Sequence, residues 1–142
     1  MTSRKLTTAD YPLAENRPEL VKGQRGKALD KITLQAVLDG HVTLDDLKIT
    51  PGALRQQADI ARDAGRATLA ENFERASELV DVPGDEIMRI YELLRPGRAQ
   101  SKDELLQAAR QLAKTYGAHK MARYIEEAAV VYERRGLFNR RY

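Results

Sequence analysis

Residues 50–96 limit the folds open to this chain more than any other stretch, because they form a dense helical block. Apolar residues recur there at helical spacing, at Leu69, Phe73, Ala76 and Val80 and again at Ile87, Ile90, Tyr91 and Leu94. Most of the polar positions between them are charged, as a water-facing helix surface requires. Thr50 suits the N-cap and Pro51 the first helical position, where a missing N–H costs nothing.

The block is expected to divide into three helices. The first ends near Ala64, the second runs to about Val80, and Pro83 opens a third that ends near Arg95. Gly65 would cost about 1 kcal/mol inside a helix relative to alanine. We therefore expect a break or a close helix crossing at Gly65.

Helical signals continue on both sides of the block. Short helices are predicted at 33–38, ended by Gly40, and after Thr43. Ser101 and Glu104 form a capping-box pattern ahead of an apolar stripe of Leu105, Ala109, Leu112 and Tyr116. The last helix is predicted at about 118–135, ended by Gly136. Its predicted apolar side consists of Met121, Tyr124, Ile125, Ala128, Val131 and Tyr132.

These patterns predict an all-α fold, a compact bundle of about four long helices plus one or two short ones, within a helical domain at 32–142. Residues 1–31 contain prolines and glycines without a sustained period, which favours an extended N-terminal arm. Tyr11 and Leu13 flank Pro12 in this arm. We expect these two apolar anchors to lie on the domain itself or on a neighbouring chain.

The composition excludes several classes of protein. The chain has no Cys, which removes disulfides and thiolate sites. Its 24 basic and 21 acidic residues leave a net charge of only +3, so the surface is not strongly basic. No apolar run approaches the roughly 20 residues that span a bilayer, and the N-terminus lacks the apolar core of a signal peptide. We expect a soluble cytoplasmic protein that binds no membrane.

The candidate catalytic groups do not form a recognisable set. His41 and His119 are far apart in sequence and lack metal-binding spacing around them. The neighbouring acids are Asp45/Asp46, Asp81/Asp85/Glu86 and Glu126/Glu127. Each group falls at a helix start or on an arginine-rich helix face, where solvation or ion pairing explains it. We therefore predict no catalytic, cofactor-binding or metal-binding residue in this chain.

A basic C-terminal tail leaves nucleic-acid binding open as an alternative. It consists of Arg134, Arg135, Arg140 and Arg141, with Phe138 and Tyr142 among them. The preceding helix carries Glu126, Glu127 and Glu133, and no helix face is basic throughout. This alternative predicts salt-dependent binding that is lost without Arg140 and Arg141. Arginine is favoured at protein interfaces, so a subunit that binds another chain fits the residues better.

Short sequence segments that match one protein family occur along the chain in the same order as in that family. They are Asp10–Ala14, Ile32–Leu34, Val37–Leu38, Ile49–Pro51, Leu54–Ala61, Arg62–Arg66, Asn72–Leu79, Ile87, Ile90–Tyr91, Leu94–Pro96, Glu104–Leu106, Glu126–Ala129 and Val131–Tyr132. Together they resemble the small (gamma) subunits of diol and glycerol dehydratases. The resemblance covers essentially all of the chain from Asp10 onward.

The resemblance implies a non-catalytic subunit of an adenosylcobalamin-dependent enzyme. In that family, 1,2-propanediol or glycerol is converted to an aldehyde and water by a radical mechanism. The enzyme is a dimer of heterotrimers, in which large (alpha) and medium (beta) subunits hold the cobalamin and the substrate metal. The small subunit packs against the large one and contributes no known catalytic side chain. The implied partners are therefore those two subunits, and this chain alone is expected to bind no cofactor.

Two details of the resemblance concern location and substrate. Many diol dehydratase small subunits carry an N-terminal extension that directs them to a bacterial microcompartment. Nine residues precede Asp10 here, which resembles the shorter glycerol dehydratase form, whereas Arg62–Leu79 reads more like the diol dehydratase branch. We expect a cytoplasmic protein, with entry into a microcompartment through its partners left open. The large subunit sets the substrate preference, so the sequence favours neither propanediol nor glycerol.

Overall fold

The computed structural model describes residues 4–138, and that range contains eight α-helices. In chain order they are α1 (Leu13–Asn16), α2 (Leu34–Leu38), α3 (Leu44–Leu47), α4 (Pro51–Asp63), α5 (Ala67–Leu79), α6 (Gly84–Leu94), α7 (Lys102–Tyr116) and α8 (His119–Arg134). Short 3-10 turns lie at Thr8–Asp10, Pro18–Leu20 and Leu29–Lys31. Residues 4–138 contain no strand, only an isolated antiparallel bridge between Lys22 and Ala28.

The all-α prediction is confirmed, and the predicted helix limits agree closely with the observed ones. The described residues contain five long helices, α4 to α8, where about four were expected. Of the break and the close helix crossing that were expected at Gly65, the structure has the break: Gly65 has φ +74°, a left-handed conformation that favours glycine. The block at 50–96 therefore holds three helices rather than one continuous rod.

The predicted caps explain why these helices begin and end where they do. The Thr50 hydroxyl accepts a hydrogen bond from the Ala53 N–H at 3.0 Å and so opens α4. The Ser101 hydroxyl accepts from the Glu104 N–H at 3.4 Å at the start of α7. Gly117, with φ +66°, ends α7 in the left-handed C-cap conformation.

The chain divides into two compact units, Met1–Val80 and Asp81–Tyr142. In the first unit, α4 packs closely on α5 through buried alanines, Ala58, Ala61 and Ala70, with Phe73 partly buried beside them. An ion pair from Arg62 to Glu74, 2.8 Å long, links the same two helices. The boundary predicted at residue 31, between an arm and a helical domain, stays a prediction.

The N-terminal segment packs on α4 within the first unit. Leu6 and Leu13 are buried against Ile60, and Leu20 and Val21 cover the same cluster. Leu13 therefore lies on the chain's own domain, which was one of the two locations expected for the apolar anchors. Tyr11 behaves differently, because it remains 59% exposed.

The second unit has its core between α7 and α8. Leu105, Leu112 and Ile125 are completely buried, and the alanines at 108, 109, 122 and 129 fill the space around them. The stripe predicted on α7 is confirmed for Leu105, Ala109 and Leu112. The apolar side predicted for α8 is partly wrong, since Tyr124 is exposed. Residue 124 lies about 100° around the helix from buried Ile125, on the side away from buried Ala122 and Ala129.

Gly23 lies close to the backbone of Asp46, and its replacement has a defined cost. A Cβ at residue 23 would overlap the backbone carbonyl oxygen of Asp46 in α3. We expect Gly23→Ala to lower the free energy of unfolding by roughly 1–3 kcal/mol, because backbone must move to relieve the overlap. Urea unfolding followed by far-ultraviolet circular dichroism measures this change.

Gly84 provides the matched control for that substitution. A Cβ there would meet no atom within 4 Å, and the residue opens α6 without a positive φ. Gly84→Ala should therefore raise the free energy of unfolding by roughly 0.4–1 kcal/mol, because alanine lowers the conformational entropy of the unfolded chain. Equal urea midpoints for the two variants would contradict the close approach of Gly23.

Candidate functional site

The N-terminal segment is fixed to the end of α4 by one carboxylate. Asp63 Oδ2 accepts hydrogen bonds from the Thr8 N–H at 2.7 Å and from the Thr8 hydroxyl at 2.9 Å. These two bonds, the backbone bond first, lower the pKa of Asp63. Asp63, which is 55 residues away from Thr8 in sequence, therefore holds the Thr8–Asp10 turn in place.

A second carboxylate organises the turn from inside. Asp10 is buried and accepts from the Thr7 N–H at 2.9 Å and from Arg17 Nη1 at 2.9 Å. The Thr7 backbone bond and then the Arg17 bond lower the pKa of Asp10. Arg17 also pairs with Glu19 at 2.6 Å, so it joins the two ends of this segment. Tyr11, which follows the turn, is thereby presented from a fixed backbone.

Tyr11 stands between two surface cavities of the first unit. One has a volume of about 360 Å³ and the other about 310 Å³. The first is lined by Thr8, Tyr11, Gln57, Ile60, Ala61, Ala64, Arg66, Leu69 and Phe73. The second is lined by Tyr11, Pro12, Leu13, Ala14, Leu20, Val21, Lys22, Ala53, Gln56 and Gln57. We call the pair, with the tyrosine between them, the Tyr11 groove.

The groove has the chemistry of a protein-contact surface. Its walls are mainly aliphatic and aromatic, with a few amides and hydroxyls and one cation in each cavity, Arg66 and Lys22. Interface cores are enriched in tyrosine and phenylalanine, with polar groups toward the rim. An exposed tyrosine beside a partly buried Phe73 provides that kind of anchor.

The two histidines singled out in the sequence lie on the surface. His41 is exposed, and its backbone carbonyl accepts from Lys27 Nζ at 2.6 Å and from Arg25 Nη2 at 3.0 Å. His119 is exposed at the first residue of α8. Neither imidazole has a described hydrogen bond to a carboxylate that would orient it for proton transfer.

The neighbouring acids serve helix caps and ion pairs. Asp46 is buried, accepts from the Thr43 N–H at 2.9 Å, and binds Arg25 through both of its oxygens. The Arg25 bond, followed by the Thr43 bond, lowers the pKa of Asp46 to about 2. Asp45 pairs with Lys48 at 2.8 Å. These roles agree with the ion-paired interpretation of the sequence.

The remaining acidic groups are ion-paired, placed at a helix start or exposed to solvent. Glu86 pairs with Arg89 at 2.7 Å, and Asp85 Oδ1 accepts from the Glu86 N–H at the start of α6. Glu126 and Glu127 are exposed on α8. Within residues 4–138, no group of three or more His, Asp or Glu side chains could hold a metal ion.

The structure describes only part of the basic tail. Arg134 and Arg135 are exposed at the end of α8, and the Tyr132 hydroxyl donates to the Leu94 carbonyl. Phe138 lies beside Tyr132, with ring centroids 6.2 Å apart. Arg140, Arg141 and Tyr142 lie outside the described residues. No helix between residues 4 and 138 is long and apolar enough to cross a bilayer.

Comparison with known proteins identifies the family. The model of the family described as dehydratase small subunit matches residues 6–139. The chain belongs to the dehydratase small-subunit family. It is 51% identical over 134 residues to a propanediol dehydratase small subunit of Salmonella typhimurium (strain LT2), covering 94% of this chain and 77% of the relative. It is 52% identical over 126 residues to a propanediol dehydratase small subunit of Citrobacter freundii, covering 89% and 73%.

The resemblance stated from the sequence is thus confirmed, and with it the interpretation of the chain as a subunit of a dehydratase. The nucleic-acid alternative gains no support from these relatives. A small subunit of a dehydratase has other subunits as partners. Tyr11 is recognisable in the sequence as an apolar anchor beside Pro12, but the cavities around it depend on contacts that no local pattern encodes.

Proposed function

We propose that this chain is the non-catalytic small subunit of a diol dehydratase, a hydro-lyase that converts 1,2-propanediol or glycerol to an aldehyde and water. One observation carries the proposal: about half of the residues are identical to propanediol dehydratase small subunits over 94% of the chain. The Tyr11 groove supports a role in assembly, since it offers an anchored aromatic side chain at the surface.

The proposed complex uses adenosylcobalamin, which supplies a radical when its cobalt–carbon bond breaks. The cavities described here do not fit that cofactor. Their volumes of about 360 and 310 Å³ lie at the lower end of the range for drug-sized ligands, roughly 300–1,000 Å³, and a corrinoid with its nucleotide is far larger. We therefore assign cofactor binding to the other subunits.

The proposed partners are a large (alpha) and a medium (beta) subunit, in a dimer of heterotrimers. The location follows from the partners: the cytoplasm, or a microcompartment if the assembled enzyme is taken into one. Within this assembly, the small subunit would provide docking surface and stability rather than reacting groups.

Co-expression tests the proposal directly. The full chain, carrying an affinity tag, is produced alone and together with the large and medium subunits of the same organism. We expect the chain alone to form no aldehyde from 1,2-propanediol or glycerol when adenosylcobalamin is added. The co-expressed chain should bring both partners through purification in equal amounts and with dehydratase activity.

The control is the large and medium subunits purified without the small chain. If the tagged chain recovers neither partner although both are soluble, the proposal is wrong. If the chain alone turns substrate over, its non-catalytic character is wrong, whatever it binds.

A further inference from the structure

Six aliphatic side chains on α2, α3 and the residue pair that follows are exposed to solvent. They are Leu34, Val37, Leu38, Leu44, Leu47 and Ile49. Leu44 is 78%, Leu34 75% and Leu38 71% exposed. Single exposed aliphatic residues are normal, but six within sixteen residues are not scattered. We call this set the α2–α3 apolar surface.

Helix geometry places these side chains together within each element. Leu34, Val37 and Leu38 have the i, i+3, i+4 spacing that puts residues on one face of α2. Leu44 and Leu47 are three apart and share a face of α3. Because α2 has five residues and α3 has four, these helices are too short to cover such faces themselves.

The backbone beneath this surface is fixed. The His41 and Val42 N–H groups both donate to the Ala36 carbonyl, at 2.8 and 3.0 Å, and so close the loop between α2 and α3. Gly40, with φ +74°, makes that turn. Asp46 caps α3 and binds Arg25 of the preceding loop. The exposed side chains are therefore presented in a set arrangement, which reduces the entropy lost on binding.

Three lysines near the surface in sequence already have partners within the chain. Lys48 pairs with Asp45 at 2.8 Å, and Lys31 lies 3.4 Å from Asp30. Lys27 donates to the His41 carbonyl at 2.6 Å. A ligand that docks here therefore meets apolar side chains at the centre and neutralised pairs at the edge. That chemistry fits an apolar protein surface, not the phosphates of nucleic acid or of lipid headgroups.

The size of the surface indicates a stable protein contact. The exposed fractions of the six side chains add up to roughly four fully exposed aliphatic residues. The summed exposed area of these side chains, which two short helices share, is comparable to the largest patch that monomers usually expose, about 300–600 Å². It would supply much of the roughly 800 Å² that each partner contributes to a standard interface.

We infer that the α2–α3 apolar surface docks onto an apolar surface of the large dehydratase subunit. The inference rests on the proposed function, since family membership is what makes a second, larger kind of subunit the expected occupant. It assigns a contact separate from the Tyr11 groove and built from residues 34–49. The surface remains exposed in the chain by itself and is covered in the assembled enzyme.

The test replaces Leu38 and Leu44 together by glutamine in the full chain. Both side chains are exposed, so the melting temperature of the isolated chain should stay within a few degrees of wild type. We expect the double variant to bind the large subunit at least about 30-fold more weakly in a titration. Val130→Gln, at an exposed aliphatic position of α8, is the matched control and should change affinity about threefold or less. Leu44→Met, which keeps the position apolar, should retain wild-type affinity.

The outcomes separate this inference from the proposed function. If wild type and the double variant bind the large subunit equally well, the inference is overturned and the proposed function stands. If gel filtration finds that wild type self-associates and the double variant does not, while both still bind the large subunit, the surface belongs to a second copy and the inference is overturned. If wild type does not bind the large subunit, the proposed function fails and this inference fails with it.

Discussion

Replacing Leu112 by alanine is expected to lower the free energy of unfolding of the second unit by about 2–5 kcal/mol. Leu112 lies on α7 and is completely buried, as is Ile125 of α8. Removing three carbons there loses their transfer from water and leaves a cavity. The surrounding alanines at 108, 109, 122 and 129 have no freely rotating side chains that could refill it. Urea or thermal unfolding of the purified chain measures the loss.

Leu112→Met is the matched control, because it keeps nearly the same volume with a flexible side chain. It should cost less than about 1.5 kcal/mol. Gln107→Ala on the exposed side of the same helix should stay within about 0.5 kcal/mol of wild type. If Leu112→Ala and Leu112→Met unfold at the same urea concentration, α7 and α8 do not pack through Leu112.

Sequence patterns predicted the helices well because their limits depend on local chemistry. Thr50 followed by Pro51 opens a helix wherever it stands, and Gly117 closes one through a left-handed conformation that other residues rarely adopt. The break at Gly65 follows from the same property of glycine. Each of these helix limits depends on residues within one helical turn, so it can be inferred without knowing the tertiary structure.

Contacts between distant residues could not be inferred in that way. Thr8 binds Asp63 across 55 positions and Arg25 binds Asp46 across 21, and no spacing rule connects either pair. Both contacts support surfaces that we propose as binding sites. Thr8 holds the backbone that presents Tyr11, and Arg25 holds the helix that carries Leu44 and Leu47.

Periodicity also identifies an apolar face without saying what covers it. Leu34, Val37 and Leu38 have helical spacing and share a face of α2, but that face lies in water. Tyr91 and Tyr124 fall in predicted stripes and are likewise exposed. A subunit that buries part of its apolar surface only after assembly carries core-like patterns at its interfaces. For such a chain, the residues where pattern and burial disagree are the best candidates for contact with a partner.

Replacing Tyr11 by alanine is expected to weaken assembly with the other dehydratase subunits by about 2 kcal/mol or more, a factor of about 30 in the dissociation constant. The side chain is 59% exposed, and it stands between two cavities that a partner's side chains can enter. Truncating a tyrosine anchor is among the costliest changes at an interface, because the ring buries a large area and loses little conformational entropy on binding. Titration of the tagged chain against the purified partners measures the loss.

Two further variants determine how Tyr11 acts. Tyr11→Phe keeps the ring and should bind nearly as wild type if the ring is the anchor, whereas a loss equal to that of Tyr11→Ala would make the hydroxyl the essential group. Deletion of residues 1–20 should weaken assembly at least as much, because it also removes Leu6 and Leu13 from the cluster around Ile60. That deletion lowers stability as well, so the point variant is the cleaner test. If Tyr11→Ala assembles like wild type while the deletion does not, the segment supports the fold of the first unit and Tyr11 is not an anchor.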